Sequence, residues 1–384
     1  MGTVVANREL VDTAAGGRSK RHLEIALPAG QTYRAGDYLA VLPLNPAAAV
    51  DRALARFGLA YDTQAVLRLG EGGRTFLPTG APVAAGELLA SWVELSAPAT
   101  RRQVEQLAAA TVCPPDRAAL QALAEPGRHR AEVLERHVTV LDLLDRFPAC
   151  QLAFASYLSM LGPLTPRQYS ISSSPRWSPD HATLTVAVVS GPALSGQGVY
   201  EGTASTYLAH ARPGTRVAVT VRPSNVAFHP PTLSTPVVMV CAGSGIAPFR
   251  GFLQDRALQA HAEGVTPAPA LLFFGSTAPG VDELYRDELA AWAAEGLVDV
   301  RTAFSRQGRY VQDRLWDDRA DVVDLVRRGA TFFVCGDGRR MAPAVHATAA
   351  RIHREATGAS AEETDAWLTA MEREHSRYVA DVFA

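Results

Sequence analysis

The chain is most informative at residues 167–175, where the sequence reads RQYSISSSP. Side chains alternate between the two faces of an extended strand, so an arginine, a tyrosine and a hydroxyl at alternating positions project to one face. The guanidinium of Arg167 can hold two phosphate oxygens at once. Tyr169 can lie against a ring system, and Ser170 can hydrogen-bond a ring nitrogen or a sugar. The stretch favours a flat ligand that carries a diphosphate, and the alternative is an ordinary barrel strand with polar outward positions.

A second stretch predicts a phosphate-binding loop at the end of a strand. Residues 235–241 are apolar and rich in β-branched side chains, which indicates a buried parallel strand. The strand leads into AGSGIAPFRGF at residues 242–252. Gly243 and Gly245 allow the backbone to approach a phosphate, and Pro248 stands in the first turn of a helix whose N–H groups can bind an anion. The spacing differs from G-x-G-x-x-G, so that fingerprint is not assigned, and a plain glycine turn is the alternative.

Polar residues follow the next strands. Residues 271–275 and 298–304 read as strands. The second is followed by a hydroxyl, two guanidiniums, a tyrosine and an amide, which are Ser305, Arg306, Arg309, Tyr310 and Gln312. Such a set at a strand end can hold a phosphate monoester and stack an adenine, and the alternative is a solvated loop with arginines. Residues 331–338 read as a strand that ends in a Cys-Gly-Asp turn, where a buried cysteine is usually only a small hydrophobic residue.

These motifs resemble those of one family in the same order. Residues 167–174 resemble the R-x-Y-S-x-x-S-S flavin motif of the diflavin reductases. Residues 241–250 resemble the G-x-G-T-G-I-A-P-F-R loop of ferredoxin-reductase-like NADP domains, with Cys241 in place of the first Gly and Ser244 in place of Thr. Residues 335–337 resemble the C-G-D signature of the family. The first strands, at residues 4–10, 21–25 and 36–41, are similar to barrel strands of the same reductases, and residues 111–115 and 190–191 resemble the reductase end of the self-sufficient bacterial fatty-acid-hydroxylating cytochrome P-450 fusions.

The resemblance implies FAD and NADPH as cofactors, no metal, and hydride transfer from the nicotinamide C4 to the flavin N5. The implied catalytic residues are Ser170 near N5, Cys335 beside C4, Asp381 at the developing positive charge and Phe383 over the isoalloxazine. The implied FAD contacts are Arg167, Tyr169, Ser170, Thr185, Val186, Ala187, Gly202, Thr203, Ala204, Ser205 and Phe383. The implied NADPH contacts are Gly243, Ser244, Gly245, Ser305, Arg306, Arg309, Tyr310, Gln312 and Cys335.

The end of the chain departs from the family. Residues 377–384 stay apolar and aromatic, which is unusual for a terminus and is compatible with a terminal edge strand. Diflavin reductases usually have Trp where this chain has Phe383. The smaller ring predicts a weaker cover over the flavin and less selectivity for NADPH. Ser276 and Thr277 also replace the Cys-Arg pair that often follows the corresponding strand, which removes one expected phosphate contact.

The fold class expected is α/β plus all-β, and the resemblance implies the ferredoxin-NADP reductase type. Short alternating strands with Gly/Pro turns predict an antiparallel barrel at residues 1–45 and 165–230, which the resemblance implies is the FAD-binding domain. Apolar residues three and four apart, as in Ala47 to Phe57 and Glu132 to Arg146, predict a helical connecting insertion at residues 46–164. Alternating strands and helices predict a parallel α/β domain at residues 233–384, which the resemblance implies is the NADPH-binding domain.

Composition excludes several other classes. The 384 residues are 47% hydrophobic and 20% charged, which is typical of an ordered globular protein with more than one core. The net charge of −2 gives no indication of a nucleic-acid or membrane partner. Four cysteines without C-x-x-C spacing, and no apolar segment after Met1, favour reduced thiols in the cytoplasm.

The function implied is that of an NADPH-dependent flavoprotein reductase of the NADPH–haemoprotein reductase type, part of a fatty-acid monooxygenase system. Electrons would pass singly from FAD to an FMN-binding flavodoxin-like domain and then to a cytochrome P-450 haem domain. FMN and haem are expected only on those partner domains. One alternative is a stand-alone ferredoxin- or flavodoxin-NADP reductase, or a reductase like the sulfite reductase flavoprotein. The helical insertion argues against the stand-alone form. Another alternative, a flavin-binding module without turnover, requires the loss of Cys335, Ser170 or Asp381, and all three are present.

Overall fold

The computed structural model describes residues 1–68 and 74–383. Contacts divide the chain into two compact units, of which the first comprises Met1–Val41, Gln168–Ala187 and Ala211–Ala384 and the second Leu42–Arg167 and Val188–His210. Residues 69–73 of the predicted insertion, and Ala384 of the predicted terminal strand, lie outside the described residues. The boundaries of the three predicted domains stay a prediction.

The strands are short and are numbered here in chain order. They are β1 (Gly2–Glu9), β2 (Lys20–Ala26), β3 (Tyr38–Leu42), β4 (Gln64–Val66), β5 (Pro82–Ala84), β6 (Arg167–Ser170), β7 (His181–Ala187), β8 (Ser190–Pro192), β9 (Val199–Glu201), β10 (Arg216–Arg222), β11 (Val237–Ala242), β12 (Ala270–Ser276), β13 (Asp299–Phe304), β14 (Thr331–Asp337) and β15 (Tyr378–Phe383).

The α-helices are numbered in the same way. They are α1 (Ala47–Phe57), α2 (Ala85–Glu87), α3 (Arg101–Ala109), α4 (Pro114–Leu123), α5 (Pro126–Arg128), α6 (Val140–Arg146), α7 (Phe154–Met160), α8 (Thr203–His210), α9 (Ile246–Glu263), α10 (Arg286–Ala294), α11 (Val311–Asp317), α12 (Arg319–Arg327), α13 (Met341–Thr357) and α14 (Ala361–Thr369). Single π-helical turns occur at Leu88–Trp92, His129–Leu134 and Ala370–Glu374, and 3₁₀ turns at Gly243–Gly245 and Ser305–Gln307.

One six-stranded sheet corresponds to the predicted barrel. Its strand order is β6-β3-β10-β1-β2-β7, and β1 pairs antiparallel with β10 and β2, as β2 does with β7. Past the end of β6, Ile171 bridges Leu184 of β7, so the two outer strands of the sheet meet. Inward-facing Leu23, Ile25 and Leu184 are fully buried, as the period-2 pattern of these strands requires.

A five-stranded parallel sheet corresponds to the predicted coenzyme-binding domain. Its order is β13-β12-β11-β14-β15, with every printed neighbour pair parallel. Buried apolar residues line the strands on both faces, with Val238 and Val240 on one face and Met239 and Phe274 on the other, because helices cover each side of such a sheet. The prediction of an antiparallel sheet followed by a parallel α/β sheet is confirmed.

The second unit is largely helical and has a core of its own. Leu88, Leu107, Leu144 and Tyr157 are among its fully buried side chains. The continuous helical stretch expected from Glu132 to Arg146 is wrong, because a π-helical turn ends at Leu134 and α6 begins at Val140. His137 takes the left-handed backbone conformation, and the Thr139 side chain accepts a hydrogen bond from the Asp142 N–H to cap a new helix. No helix among the described residues is long and apolar enough to span a membrane.

Candidate active site

Three side chains lie in register near the carboxyl ends of neighbouring parallel strands. Cys335 and Asp381 are predicted site residues, and Cys241 lies next to Cys335. The register pairs Cys241 of β11 with Cys335 of β14, and Cys335 with Asp381 of β15. Residues in register on neighbouring strands point to the same face, about 4.8 Å apart. Cys335 is only 1% exposed. Burial, and to a lesser degree the Asp381 carboxylate, raise the pKa of the Cys335 thiol well above its usual value, so the sulfur is neutral.

Two hydroxyl groups form hydrogen bonds with the carboxyl group of Asp381. The Tyr38 phenol donates to Asp381 Oδ1 over 2.6 Å, and the Ser170 hydroxyl is a second hydrogen-bond partner. Burial raises the pKa of Asp381, whereas the two hydrogen bonds act in the opposite direction, and the pKa remains above its ordinary value. A half-buried carboxyl with two fixed donors beside a neutral thiol is suited to a ligand on which positive charge develops.

The expectation that a hydroxyl would share a strand face with Arg167 and Tyr169 is wrong for Ser170. Strand β6 runs from Arg167 to Ser170. Because neighbouring residues point to opposite faces, Ser170 lies on the other face from Tyr169, where it meets Asp381. The structure thus joins Ser170 to the aspartate rather than to its neighbours in the motif.

The glycine loop after β11 packs against the strand that carries the cysteine. Gly243 has a φ of +55°, a conformation that favours glycine. A Cβ atom on Gly245 would lie 2.3 Å from the carbonyl oxygen of Cys335, so only glycine fits. Helix α9, 18 residues long, begins at Ile246 directly behind the loop, so the positive end of its dipole lies there. The loop therefore brings an anion-binding helix terminus next to Cys335.

The residues predicted to hold a phosphate monoester follow β13 on the surface. Ser305, Arg306 and Gln307 form a 3₁₀ turn, in which the Arg306 N–H donates to the Thr277 carbonyl over 3.0 Å. Among residues 1–68 and 74–383, no carboxylate pairs with the Arg306 side chain, whereas the Arg309 guanidinium pairs with Asp317. Tyr310 is 53% exposed and precedes α11, in which Gln312 lies. Within the described part of the chain, the positive charge of Arg306 at the strand end therefore has no carboxylate partner.

In the second unit, hydrogen bonds connect the predicted diphosphate residues. The Arg167 guanidinium pairs with Glu94, and the Ser96 hydroxyl donates to the same carboxylate over 2.6 Å. Ser96 Oγ lies 3.1 Å from Thr203 Oγ1 in the first turn of α8. The segment Gly202, Thr203, Ala204 and Ser205 is thereby brought to Arg167, and the Ser205 hydroxyl accepts the Val189 N–H.

A large cavity opens beside this chain of contacts, within the same unit. It has a volume of about 880 Å³ and is bordered by Ser96, His137, Val189, Tyr200 and Glu201 among others. It contains both an aromatic ring and polar groups.

The last group of predicted flavin contacts lies on an outer strand. Thr185, Val186 and Ala187 continue β7 beyond the bridge at Leu184, at the edge of the six-stranded sheet. The Thr185 hydroxyl is hydrogen-bonded to the Tyr285 phenol over 2.7 Å, so a ligand would meet the backbone of this stretch rather than that side chain. Phe383, at the end of the edge strand β15, is 50% exposed. It is therefore not a terminal core residue.

Sequence reasoning missed two side chains of these sites, Tyr38 and Glu94. Tyr38 is 343 residues from Asp381, and Glu94 is 73 residues from Arg167. Neither stands in a motif with its partner, so no local pattern could have paired them. The only available signal was the general rule that a charged group taken partly out of water needs a partner.

The residues present fit the two cofactors that the sequence implies. A loop in which a Cβ cannot replace Gly245, followed by a helix N-terminus, is a cradle for the diphosphate of a dinucleotide. Arg167, the first turn of α8 and the adjoining cavity supply a cation, N–H donors and space for a second dinucleotide.

Comparisons with known proteins agree with this geometry. Residues 1–207 match the FAD binding domain family, and residues 239–347 match the oxidoreductase NAD-binding domain family. Among curated relatives, the self-sufficient cytochrome P450 monooxygenase CYP505E3 of Phanerodontia chrysosporium is 46% identical over 393 residues, which cover 100% of this chain and 36% of that protein. The bifunctional cytochrome P450/NADPH–P450 reductase of Fusarium oxysporum is 43% identical over 393 residues, which cover 99% of this chain and 36% of that protein.

A bacterial relative gives the same result. The bifunctional cytochrome P450/NADPH–P450 reductase 2 of Bacillus subtilis (strain 168) is 42% identical over 388 residues, which cover 100% of this chain and 36% of that protein. The chain thus spans 36% of the length of each of these relatives, and the resemblance drawn from its motifs is confirmed. With more than half of its length matched, the chain belongs to the FAD binding domain family, and it is an oxidoreductase that uses FAD and NADPH.

Proposed function

We propose that this chain takes reducing equivalents from NADPH and delivers them to an FMN-binding flavodoxin-like domain, which reduces a cytochrome P-450 haem in a fatty-acid monooxygenase system. The observation that supports the first step is the meeting of Ser170, Cys335 and Asp381 next to the Gly243–Gly245 loop. FAD, when bound, accepts a hydride from NADPH and can release its two electrons one at a time, which connects a two-electron donor to one-electron acceptors.

Near Cys335 and Asp381, the protein would supply charge to the bound cofactors and would hold them in position. Asp381 is the negative group that would stabilise a positively charged nicotinamide ring, and its carboxyl group is hydrogen-bonded by Tyr38 and Ser170. The neutral, buried thiol of Cys335 offers a soft contact surface without adding a charge. Phe383, exposed at the end of β15, would cover the flavin and exclude water until the coenzyme arrives. These groups carry out no covalent chemistry of their own.

The remaining predicted residues would hold the two dinucleotides. We assign the flavin and its diphosphate to Arg167, Tyr169, Ser170, Thr185, Val186, Ala187, Gly202, Thr203, Ala204, Ser205 and Phe383. Glu94 and Ser96 would position Arg167 for this task. We assign NADPH to Gly243, Ser244, Gly245, Cys335, Ser305, Arg306, Arg309, Tyr310 and Gln312, of which Arg306 would bind the 2′-phosphate.

The proposed domain organisation follows the sequence prediction. Residues 1–45 and 165–230 would form the FAD-binding barrel, residues 46–164 the connecting insertion and residues 233–384 the NADPH-binding domain. We infer that the insertion positions the FMN domain, as the resemblance to the diflavin reductases implies. We also propose that the protein works in the cytoplasm. The free state of all four cysteines, three of them buried, supports a reducing compartment.

The test uses the purified chain with its bound flavin. Denaturation should release one FAD per chain and no FMN. The chain should reduce ferricyanide rapidly but cytochrome c slowly, and adding the FMN domain of a self-sufficient P450 relative should restore cytochrome c reduction. Asp381→Asn is the control, because it should lose both activities while keeping its flavin.

Two outcomes would contradict the proposal. Stoichiometric FMN in the isolated chain, or fast cytochrome c reduction without the FMN domain, would mean that the electron path is different. Reduction of a separate ferredoxin in preference to the FMN domain would favour a stand-alone reductase.

A further inference from the structure

A tyrosine of the six-stranded sheet reaches the carboxyl edge of the parallel sheet. Tyr38 is the first residue of β3, and its hydroxyl lies 2.6 Å from Asp381 Oδ1 of β15. Both residues belong to the first compact unit. Tyr38 is not among the predicted site residues, although its contact with Asp381 is as short as hydrogen bonds between a hydroxyl and a charged carboxylate usually are.

The backbone around Tyr38 is fixed by its neighbours. Gly36 has a φ of +97°, and a Cβ atom there would lie 1.7 Å from the Phe228 carbonyl oxygen, so the turn before β3 requires glycine. The Asp37 side chain accepts the N–H groups of Arg34 over 2.8 Å and Ser224 over 3.2 Å. The start of β3, and with it the tyrosine ring, therefore has little freedom to move.

The same turn sets the position of the second hydroxyl. The Asp37 carbonyl accepts the Ile171 N–H over 2.9 Å, which places Ser170 beside Tyr38 on the neighbouring strand β6. Two neighbouring strands thus deliver two hydroxyl groups to one carboxylate. Ser224 in turn hydrogen-bonds the Tyr38 hydroxyl, so the phenol has a donor behind it and an acceptor in front.

We propose that Tyr38 is a positioning residue for the hydride transfer, which holds the Asp381 carboxylate in its reactive orientation and keeps it ionised. The inference rests on the proposed function, because Asp381 matters to the reaction only if coenzyme and flavin meet at this edge. A phenol is suited to the task, since it donates one directional hydrogen bond and remains neutral over the working pH range.

The direction of the pH effect follows from the groups around Asp381. The titratable groups that interact with it among the described residues are Tyr38 on β3 and Cys335 on β14. Burial raises the pKa of the Tyr38 phenol, and its hydrogen bond to Asp381 raises it further, so Tyr38 is a constant donor. Burial raises the pKa of Asp381 and the hydroxyls oppose this, so removal of one hydroxyl must raise that pKa further.

The experiment compares Tyr38→Phe with Tyr33→Phe in the FAD-loaded chain. Tyr33 is a matched control, because it is a buried tyrosine of the same unit whose hydroxyl bonds Ser173 over 2.8 Å, away from Asp381. The rate of flavin reduction by NADPH is measured by rapid mixing across pH. In parallel, infrared difference spectroscopy titrates the C=O band of the protonated Asp381 carboxyl, identified as the band that Asp381→Asn lacks.

Tyr38→Phe should move both the acid limb of the rate and the infrared titration to higher pH by about one unit, the size expected for one lost hydrogen bond to a charged group. At a pH below the wild-type limb the rate should fall about tenfold, with little change in the affinity for NADPH. In the Asp381→Asn background, Tyr38→Phe should have almost no further effect on the rate, because the pair acts as a unit. Tyr33→Phe should match the wild type in both measurements.

An unchanged acid limb together with an unchanged carboxyl titration in Tyr38→Phe would overturn the proposal. If Tyr38→Phe does not fold, Tyr38→His is used instead, because its imidazole restores an N–H donor. An acid limb at a higher pH in Tyr38→His than in the wild type would then also overturn the proposal. Failure of the proposed function is a separate result, since wild-type flavin would then not be bleached by NADPH, whereas the infrared titration would still report on the pair.

Discussion

The two ends of the proposed coenzyme site are built differently, although both lie at the carboxyl edge of one parallel sheet. Around Asp381, side chains are buried or half-buried, and their hydrogen bonds come from the other sheet. Around Arg306, the side chains stand on an exposed turn and take their contacts from nearby residues. The arrangement around Asp381 holds a negative charge in a fixed position relative to the reacting atoms. The arrangement around Arg306 leaves a positive charge accessible to a bound phosphate.

Because of this difference, we expect the rate of hydride transfer and the affinity for NADPH to depend on different residues. Substitutions at the buried end should change the rate of hydride transfer with little effect on coenzyme binding. Substitutions at the exposed end should change the Michaelis constant for NADPH with little effect on the maximal rate.

The largest effect is expected from Asp381→Asn, which keeps the shape and removes the charge. Loss of one preorganised electrostatic group typically costs about 100- to 1000-fold in rate, so flavin reduction by NADPH should slow by this factor while the dissociation constant changes little. Asp299→Asn, at the amino end of β13, is the control and should behave like the wild type. An unaffected rate in Asp381→Asn would remove the distinction between the two ends.

Arg306→Ala tests the exposed end. A lost charge-assisted pair with a phosphate costs on the order of 2–3 kcal/mol, or a 30- to 150-fold change. The Michaelis constant for NADPH should therefore rise by that factor, and the constant for NADH should hardly change. Arg309→Ala should have a smaller effect, because the Arg309 charge is already paired with Asp317. Equal effects of Arg306→Ala on both coenzymes would show that Arg306 is not at the 2′-phosphate.

Phe383→Trp affects the buried and the exposed end together, since a ring over the flavin must be displaced before the nicotinamide can bind. Aromatic contacts contribute about 0.5–1.5 kcal/mol beyond area burial, or a two- to twelvefold change, and indole should stack more strongly than phenyl. The NADPH/NADH ratio of kcat/KM should rise in Phe383→Trp, because NADPH has the phosphate contact to offset the cost, and should fall in Phe383→Ala. If both ratios equal that of the wild type, Phe383 is not a gate.

The smallest effect concerns stability. Burial raises the pKa of Asp381 in the folded chain above its unfolded value, so its contribution to stability is fully present below the unfolded pKa of about 3.9 and is lost as the pH rises through the folded pKa. Asp381→Asn keeps a neutral side chain at every pH. Its melting temperature should therefore exceed that of the wild type at pH 8, and the difference should vanish near pH 4. A variant that is less stable at pH 8 would show that the ionised carboxylate is a net stabilising group.

The same contrast explains how much the sequence could predict. Strand β11, the glycines after it and Pro248 in α9 are encoded by neighbouring residues, and local sterics decide them. The exposed turn at Ser305–Gln307 is likewise local. Residue types and order were sufficient for these parts and for the two sheets.

The pairings that complete the sites depend on the tertiary fold. Tyr38 meets Asp381 only because β3 of one sheet faces the end of β15, and Glu94 meets Arg167 only through the helical unit. Ser170 directly follows Tyr169, so strand alternation alone places it on the opposite face, and only the fold shows that Asp381 lies there. A buried carboxylate indicates that a partner exists, but the sequence does not specify which strand brings it.

The most direct test of the account is anaerobic rapid mixing of the FAD-loaded chain with NADPH, followed by the visible absorbance of the flavin. The account predicts rapid bleaching whose rate saturates with NADPH concentration. Arg306→Ala should shift the half-saturating concentration, and Asp381→Asn should lower the limiting rate. A flavin that keeps its oxidised spectrum in the presence of saturating NADPH would contradict the account.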